Sequence, residues 1–346
     1  MYKVLSLFTG MSGMDQGFAE QVVVHRQSVG DENMIENEYH IKDFVALKQL
    51  PFEIVFQNDI LPSAKRILEI NQWSHNLLFE NIRELIKRDY VFPQADVIIG
   101  GFPCTSFSHA GLREGFKSES GTLYQSYVEV VRRVKPKIFL AENVAGLLTM
   151  PSNPINTIIA DFEAVGYVVK YQLIKCEEFG IPQTRHRVII FGVRQDLASH
   201  LQGEWNIITE NKVSCFIGKY FEHLSEPSVT TDSAQKIYSK AKKLDKGQGQ
   251  KEVNMNGFAP TMRSEHHGNI EFRRKNNGIN NEPNLSQRRL TVREAALIQT
   301  FPPDCILTDA RESMMAYVPI GNAVPPLLGY LLARKTKKLL DSLRSD

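Results

Sequence analysis

The sequence has few cysteines, little net charge and no long apolar stretch. Its four cysteines, at positions 104, 176, 215 and 305, form no CxxC pair and have none of the short spacings of zinc sites, so we expect reduced thiols and no metal centre. No run of about 18 uncharged apolar residues is present. The N-terminus, MYKVLSLFTG, lacks the basic stretch and cleavage site of a secretory signal. We therefore expect a cytoplasmic protein without membrane association.

The charge is small in sum but unevenly placed. The formal net charge of +2 does not by itself indicate nucleic-acid binding, because a sum over the chain hides where charges lie. Residues 236–251 contain six lysines against one aspartate, and residues 263–293 contain seven arginines or lysines against three glutamates. These two basic segments are candidates for an anionic partner, although an ordinary solvated face is the alternative.

The first 195 residues alternate short, β-branched apolar runs with stretches of helical pattern, which is typical of a parallel sheet flanked by helices. A polar stretch at about 25–50 has no strong turn or core pattern, and we interpret it as an insertion. The predicted strands are 4–8, 53–57, 96–101, 138–142 and a pair near 167–193; the predicted helices include 62–70, 122–134 and 154–165.

The pattern fades from about residue 195 to 285, where glycine and asparagine become frequent, and returns in TVREAALIQTF and an amphipathic segment at 326–343. With 346 residues, the chain is long enough for roughly two domains. We predict a catalytic, cofactor-binding domain of residues 1–195 plus 286–346. Residues 196–285 form a smaller, loop-rich second lobe. The fold class is α/β, a doubly wound, mostly parallel sheet.

Two predicted strand ends carry reactive side chains. The segment IIGGFPCTSFSHAG delivers Pro103 and Cys104 into a loop, and IFLAENV brings Glu142 and Asn143 to the same edge of the sheet, where ligands bind in open parallel sheets. A cysteine is more often a small apolar core residue, and a strand-end glutamate is more often solvated or capping. Together, a thiol and a carboxyl group suit covalent catalysis on a polarised ring.

A glycine-bearing turn, FTGMSGMDQGF, follows the first strand and leads into a helix, as a nucleotide-like cofactor site requires. Its glycines do not fit GxGxxG, which disfavours a nicotinamide dinucleotide. After the second predicted strand, Asp59 either accepts hydrogen bonds from ribose hydroxyls or caps the helix that begins near Pro62. The residues alone leave both roles open.

Six segments, in order, resemble the motif series of the cytosine-5 DNA methyltransferases of bacterial modification systems: FTGMSGMDQGF, GFPCTSFSHAG, AENVAGLL, QTRHRVIIFGVR, RRLTVREAALIQTFP and GNAVP. The resemblance implies a Rossmann-like methyltransferase fold that uses S-adenosylmethionine. It makes Cys104 the nucleophile that attacks carbon 6 of cytosine, and Glu142 the group that acts on ring nitrogen 3. Arg185 and Arg187 match the paired arginines of the family, so the resemblance makes both catalytic residues, and it implies that the second contacts the target base.

The resemblance also implies a set of cofactor-binding residues and a substrate of double-stranded DNA whose target base is flipped out of the stack. The loop at about 105–121 is expected to close over that base, and the second lobe to choose the sequence. We expect a monomer, with a restriction endonuclease as a separately acting partner. The implied cofactor residues are Phe8, Gly10, Gly13, Asp59, Ile60, Asn81, Ile82, Pro103, Leu123, Asn322 and Val324; the implied DNA-binding residues are Ser108, Arg263, Arg273 and Arg274.

The chain departs from the family pattern at Ser12, where glycine is usual, at Thr105, where glutamine is usual, and at Ser120, where arginine is usual. Three alternatives stay open. One is a transfer-RNA cytosine methyltransferase on the same fold, against which the large basic second lobe argues. Another is a DNA-binding protein without activity. A nicotinamide-dependent dehydrogenase is the most distant alternative, because this sequence lacks the GxGxxG fingerprint of such enzymes.

Overall fold

The computed structural model describes residues 1–103, 123–151, 153–198, 207–208, 211–238, 253–264, 271–272, 288–307 and 316–343. Its strands are β1 (Tyr2–Leu7), β2 (Val23–His25), β3 (Ile35–Glu38), β4 (Phe44–Leu47), β5 (Phe52–Asp59), β6 (Leu77–Phe79), β7 (Val97–Gly100), β8 (Ile138–Val144), β9 (Tyr167–Lys175), β10 (Gln183–Thr184), β11 (His186–Arg194), β12 (Ala259–Pro260), β13 (Glu271–Phe272) and β14 (Arg288–Arg289). Its α-helices are α1 (Gly13–Ala19), α2 (Pro62–Ile70), α3 (Ile82–Lys87), α4 (Leu123–Val134), α5 (Pro154–Ala164), α6 (Gln195–Ala198), α7 (Ile217–Phe221), α8 (Ser233–Lys236), α9 (Val292–Ile298), α10 (Tyr317–Asn322) and α11 (Pro326–Ser342).

A seven-stranded sheet in the order β6-β5-β1-β7-β8-β11-β9 is the largest sheet of the described residues. Strands β6, β5, β1, β7 and β8 are parallel, and β11 runs antiparallel to both β8 and β9. The four residues of β7 and the first six of β8 are all buried, as expected for strands covered on both faces. The predicted mostly parallel α/β sheet is confirmed.

The chain reverses its direction of growth across the sheet between β1 and β7. It passes outward from β1 to β5 and β6, then returns to β7 on the other side of β1. In doubly wound sheets, ligands bind beside the carboxyl ends of the strands at such a switch point. The segments that leave these ends are 8–12 after β1 and 101–103 after β7, which are two of the segments singled out in the sequence.

Helices α1 and α11 cross very closely over one face of the sheet. A Cβ added to Gly17 would lie 2.1 Å from the carbonyl carbon of Gly329, so neither glycine has room for a side chain. On the other face, α5 packs on β8 through a stacked pair, Phe162 and Phe139, whose ring centroids are 4.1 Å apart, and Tyr127 of α4 meets the Phe162 ring edge to face at 5.9 Å. These contacts hold the helices that flank the switch point.

The interpretation of residues 25–50 as a stretch without a core pattern is wrong. Strands β2, β3 and β4 form a three-stranded antiparallel sheet in the order β2-β4-β3, which we call the inserted sheet. All four residues of β4, from Phe44 to Leu47, are buried. Its apolar runs are only three and four residues long and are separated by polar turns. They are therefore too short for periodicity to reveal them.

The described residues of the predicted second lobe (196–285) make direct contacts with the predicted catalytic domain (1–195 plus 286–346). Strand β12 pairs in parallel with β10, and the side chain of Gln235 in α8 accepts a hydrogen bond of 2.6 Å from Thr291, the N-cap of α9. The division into residues 1–195 plus 286–346 and residues 196–285 stays a prediction. Among the described residues, no helix combines the length and the apolar character needed to span a membrane.

Candidate active site

The segment after β1 has an unusual backbone. Phe8, Gly10 and Ser12 have φ angles of 52°, 57° and 65°, in the left-handed region that residues with a Cβ seldom adopt. Such conformations concentrate at functional sites. Ser12 thus occupies a conformation suited to the glycine that is usual in the family.

Asp59, at the end of β5, is tied to this segment. Its Oδ2 accepts a hydrogen bond of 2.7 Å from the amide of Gly10, and its Oδ1 accepts two of 2.7 Å from the amides of Ile60 and Leu61, just before α2. Burial raises the pKa of the Asp59 carboxyl, while these hydrogen bonds lower it. Asp59 therefore caps the approach to α2 and also orients its carboxylate beside the β1 loop.

The neighbouring predicted cofactor residues differ in accessibility. Ile60 is 58% exposed, an accessible apolar surface beside the Asp59 carboxylate. Asn81 caps α3, with its Oδ1 accepting a hydrogen bond of 3.0 Å from the amide of Arg83. Ile82 is only 2% exposed and packs in the core with Leu85, so its side chain is not accessible to a ligand.

A third segment reaches the same edge of the sheet. A Cβ added to Gly13 would lie 2.0 Å from the carbonyl oxygen of Val324, so this glycine lets the GNAVP segment approach the start of α1. Val324 is buried and Asn322 exposed, while Pro103 and Leu123 are half-buried. Gly13 thus has a packing role whether or not it contacts a ligand.

The predicted carboxylate and one predicted arginine form an ion pair. Arg187 on β11 and Glu142 on β8 lie diagonally across antiparallel strands, with 2.8 Å between the arginine Nε and the glutamate Oε1. Their side chains are 12% and 10% exposed. A Cβ added to Gly101 would lie 3.1 Å from Glu142 Oε2. The carboxylate therefore lies over the bare Cα of a residue three positions before Cys104.

Asn143, next to Glu142, fixes the other side of the same turn. It is 2% exposed, and its Nδ2 donates a hydrogen bond of 3.3 Å to the carbonyl of Phe102. Its Oδ1 accepts one of 2.8 Å from the amide of Val144. Sequence reasoning placed Asn143 at the right edge of the sheet but gave it no role.

The second predicted arginine has different surroundings. Arg185 is 1% exposed, and its guanidinium donates hydrogen bonds of 3.0, 3.2 and 2.9 Å to the carbonyls of Met262, Gly321 and Ala323. Burial lowers the pKa of Arg185 to about 9. The described contacts make Arg185 a positioning residue that joins three segments of backbone, in contrast to Arg187.

Two buried glutamines extend that backbone junction, and sequence reasoning missed both. Gln183 donates hydrogen bonds of 3.0 Å to the carbonyl of Ile298 and 2.6 Å to the side chain of Gln299. Gln299 in turn donates to the carbonyls of Ile320 and Ala323. The available signal was a glutamine in each of the QTRHR and ALIQTF segments, since an amide placed in a core needs hydrogen-bond partners.

Of the four predicted DNA-binding residues, only Arg263 lies in the described part of the chain. Its side chain is exposed, and its backbone packs against Gly321, since a Cβ added to Gly321 would lie 2.1 Å from the carbonyl carbon of Arg263. The residues outside the described ranges are Cys104, Thr105, Ser108, Ser120, Arg273 and Arg274, with the rest of the 105–121 loop.

The three described cysteines are free and buried. Burial raises the pKa of Cys176 to about 12 and the pKa values of Cys215 and Cys305 to about 11. The nucleophilic form of cysteine is the thiolate. These three thiols are therefore poor nucleophiles at neutral pH.

One group of described residues brings possible metal ligands together, with the ligand atoms of His25, Asp43 and Glu222 within 4.8 Å of one another. The Nδ1 atom of His25 accepts a hydrogen bond of 3.2 Å from the amide of Gln27, which puts the proton of the neutral ring on Nε2. Glu222 is also paired at 2.8 Å with Lys219. This geometry favours hydrogen bonding over metal coordination.

Comparison with known proteins adds to this geometry. A family model described as C-5 cytosine-specific DNA methylase matches residues 2–338. The chain is 31% identical to the Type II methyltransferase M.BspRI of Lysinibacillus sphaericus over 362 residues, covering 96% of this chain and 81% of the relative. It is 30% identical to the Type II methyltransferase M.BsuRI of Bacillus subtilis, covering 95% and 78%.

Solved structures of similar fold have lower sequence identity. The S. pombe Dnmt2 methyltransferase has a TM-score of 0.64 at 16% identity, covering 98% of this chain and 99% of that one. The Entamoeba histolytica methyltransferase EhMeth has a TM-score of 0.64 at 15% identity, covering 99% of both chains. At these identities, the likeness shows the fold alone.

Proposed function

The chain belongs to the C-5 cytosine-specific DNA methylases, and from this premise we propose that it methylates cytosine within a specific double-stranded sequence, using S-adenosylmethionine and the thiol of Cys104. Its enzyme class is DNA (cytosine-5-)-methyltransferase. The observation that carries the residue-level proposal is the Glu142 carboxylate, paired with Arg187 and lying over Gly101 at the start of the segment that leads to Cys104.

The proposed reaction begins with the target cytosine outside the DNA stack. The thiolate of Cys104 forms a bond to carbon 6, and the electron pair of the 5,6 double bond becomes available at carbon 5. S-adenosylmethionine, when bound, would supply the methyl group to carbon 5 as an electrophile and leave as S-adenosylhomocysteine. A base then removes the proton from carbon 5, the double bond reforms, and the thiolate leaves.

Glu142 is proposed to act at ring nitrogen 3. Its carboxyl group, after taking up a proton from solvent, donates that proton there as the thiolate adds, so the negative charge that develops on the ring is neutralised. The guanidinium of Arg187, 2.8 Å away, stabilises the carboxylate that is left and fixes its position. Removal of the same proton from nitrogen 3 accompanies departure of the thiolate. In this proposal Arg187 also contacts the base, whereas Arg185 acts through the backbone that it holds.

The residues around the β1 loop fit S-adenosylmethionine. The site of a Cβ on Gly10 is open, with nothing within 4 Å, so a ligand has space to approach the backbone there. We propose that the Asp59 carboxylate accepts hydrogen bonds from the ribose hydroxyls. The 58% exposed side chain of Ile60 covers the adenine. Asn81, the backbone of Ile82 and the GNAVP segment complete the proposed site.

DNA recognition is assigned to the second lobe. Arg263 is exposed at its described edge, and a positive side chain there suits contact with a phosphate. Arg273, Arg274 and Ser108 are proposed DNA contacts that lie outside the described residues. We further propose that the enzyme acts as a monomer in the cytoplasm and pairs functionally with a separately acting restriction endonuclease, as the Type II names of the relatives suggest.

Bisulfite sequencing of DNA from cells that express the chain tests this proposal. We expect one short sequence with a protected cytosine, and no protection with Cys104→Ser. A duplex containing 5-fluorocytosine should form a lasting covalent adduct with the wild type, because fluorine cannot leave from carbon 5 as a proton does. Labelled methyl transfer to transfer RNA, but not to duplex DNA, would instead favour the RNA alternative.

A further inference from the structure

The inserted sheet makes its most enclosed polar contacts with two parts of the chain that lie far away in sequence. One is the turn at Phe179 and Gly180, shortly before β10. The other is the start of the second lobe, represented by Asn211 and by Tyr220 in α7. Together with Ser28 of the insertion, these residues form what we call the Ser28 junction. Ser28 and Tyr220 are fully buried, and Asn211 is 8% exposed.

The hydroxyl group of Ser28 connects the other two parts directly. Its Oγ donates a hydrogen bond of 2.6 Å to the carbonyl of Gly180 and lies 2.8 Å from the hydroxyl of Tyr220. Since a serine hydroxyl has one hydrogen, which is given to Gly180, the Tyr220 hydroxyl must be the donor to Ser28. A single directed chain therefore runs from the second lobe, through the insertion, to the turn before β10.

The backbone of the insertion is held in the same way. Asn211 donates through Nδ2 to the carbonyls of Ser28 and Phe179 at 3.0 and 3.1 Å, and its Oδ1 accepts from the amide of Gly30. A Cβ on Gly180, whose φ is 83°, would lie 2.3 Å from the carbonyl oxygen of Ser28. Both the amide side chain and the glycine are thus required by the close approach.

Aromatic packing supports these hydrogen bonds. Phe44 of β4 meets Tyr220 edge to face, with ring centroids 5.7 Å apart, and also meets His223 at 5.0 Å. His25 of β2 lies 5.9 Å from the Tyr220 ring. Two strands of the inserted sheet therefore contact Tyr220 of α7 and His223, two residues after α7, through their rings.

The turn held by Ser28 leads directly into the active-site strands. Gly180 precedes β10, where Gln183 pairs with Ala259 of the second lobe, and β10 is followed by Arg185 and Arg187. A change in the Ser28 junction would therefore move the second lobe and the start of β11 relative to each other. We propose that the inserted sheet is a positioning element that sets the orientation of the second lobe for DNA binding, with Ser28 as its central positioning residue. This inference rests on the proposed role of that lobe in DNA recognition.

The test compares two KM values in steady-state methylation of unmethylated plasmid DNA with tritiated S-adenosylmethionine. Ser28→Ala and Tyr220→Phe each remove one link of the chain. Each should raise the KM for DNA about five-fold to ten-fold, since losing a buried hydrogen bond has effects of this size, while the KM for S-adenosylmethionine changes by less than about two-fold. The double variant should show less than the product of the two effects, because both changes break one chain.

Tyr330→Phe is the matched control. Tyr330 of α11 is 2% exposed and donates a hydrogen bond of 3.0 Å to the carbonyl of Lys48, so its hydroxyl ties the end of the insertion to the catalytic part and not to the second lobe. This variant should lower the melting temperature without a change in the KM for DNA.

An unchanged KM for DNA in Ser28→Ala and Tyr220→Phe, with only a loss of melting temperature like that of Tyr330→Phe, would overturn the inference and leave the insertion a stabilising element. Equal increases in both KM values would also overturn it. A wild-type enzyme without methyl transfer to any DNA would instead contradict the proposed function.

Discussion

Glu142 and Arg187 meet across β8 and β11 with 2.8 Å between Oε1 and Nε, while the second carboxylate oxygen of Glu142 faces the bare Cα of Gly101. One carboxyl group is thus bounded by a cation on one side and by the segment that leads to Cys104 on the other. Its position depends on three separate strands of the sheet. Each contact can be changed separately.

Arg187→Gln is expected to lower kcat about 100-fold with little change in the KM for S-adenosylmethionine, because loss of one well-placed charged group in an active site has this order of effect. The neutral side chain no longer stabilises the carboxylate left after proton transfer. Single-turnover methyl transfer measures the effect. Arg187→Lys, which keeps the charge but not the planar guanidinium, should recover part of the rate. A rate for Arg187→Gln equal to that of the wild type would exclude this role.

Gly101→Ala places a methyl group 3.1 Å from Glu142 Oε2, so the carboxylate must move by a few tenths of an ångström. We expect about a ten-fold loss of kcat, since small misplacements of a catalytic group are costly. The melting temperature should change little, because the contact is with a side chain. Gly100→Ala is the contrasting variant. Its Cβ would lie 2.2 Å from the carbonyl oxygen of Leu7, so this variant should disrupt the pairing of β1 with β7 and lower the melting temperature. Full activity in Gly101→Ala would show that Glu142 tolerates displacement.

The sequence predicted the edge of the sheet at which the site lies. The β-branched and apolar runs that end at Gly100 and Gly101 and at Glu142 and Asn143 mark the ends of two strands, and this local pattern can be recognised before the fold is known. The sequence assigned base contact to Arg187 but did not indicate that Arg185 holds the backbone. The carbonyls that surround Arg185 belong to residues 77, 136 and 138 positions away, and no local pattern encodes such partners. Likewise, Asn81 and Ile82 were predicted together as ligand contacts, although Ile82 points into the core.

The inserted sheet was missed for a related reason. Strand β4 has only four residues, and their burial depends on partners supplied by β2, β3 and α7 rather than on alternation within the strand itself. Ser28 reads in the sequence as an ordinary polar residue of a loop. Its role follows from Gly180 and Tyr220, which lie 152 and 192 positions away.

Arg185→Met tests whether Arg185 holds the backbone rather than acts on the base. The change leaves the carbonyls of Met262, Gly321 and Ala323 without their donor. We expect the free energy of unfolding to fall by about 2–5 kcal/mol, as for other losses of a buried charged partner. Chemical denaturation measures this. A large loss of kcat with unchanged stability would assign Arg185 to catalysis, as the family resemblance implied.

Asp15 gives the protein a pH dependence of stability that can be isolated with one variant. Its carboxyl is 2% exposed beneath the β1 loop and accepts hydrogen bonds of 2.7 Å from Ser6 Oγ and from Gln57 Nε2. Burial raises the pKa of Asp15 from 3.8 to about 6, although these hydrogen bonds and the charge of His75 lower it. Because the folded state holds this proton more tightly than the unfolded state, the contribution of Asp15 to stability is largest below pH 4. It is lost as the pH rises to about 6.

Asp15→Asn should remove this dependence. We expect the free energy of unfolding of the wild type, minus that of the variant, to fall by on the order of 2–3 kcal/mol between pH 4 and pH 6.5 and to stay constant above. Urea denaturation across this range measures the difference, and subtracting the variant cancels the titration of groups that both proteins share.

His75 also affects the ionisation of Asp15. The pKa of His75 is raised by its hydrogen bond to Glu20, and its positive charge lowers the pKa of Asp15. The same subtraction in a His75→Gln background should therefore give a somewhat larger difference, since the cation that favours ionised Asp15 is then absent. A difference that rises with pH in either background would mean that Asp15 is held as a stabilised carboxylate, and that its hydrogen bonds outweigh the cost of its burial.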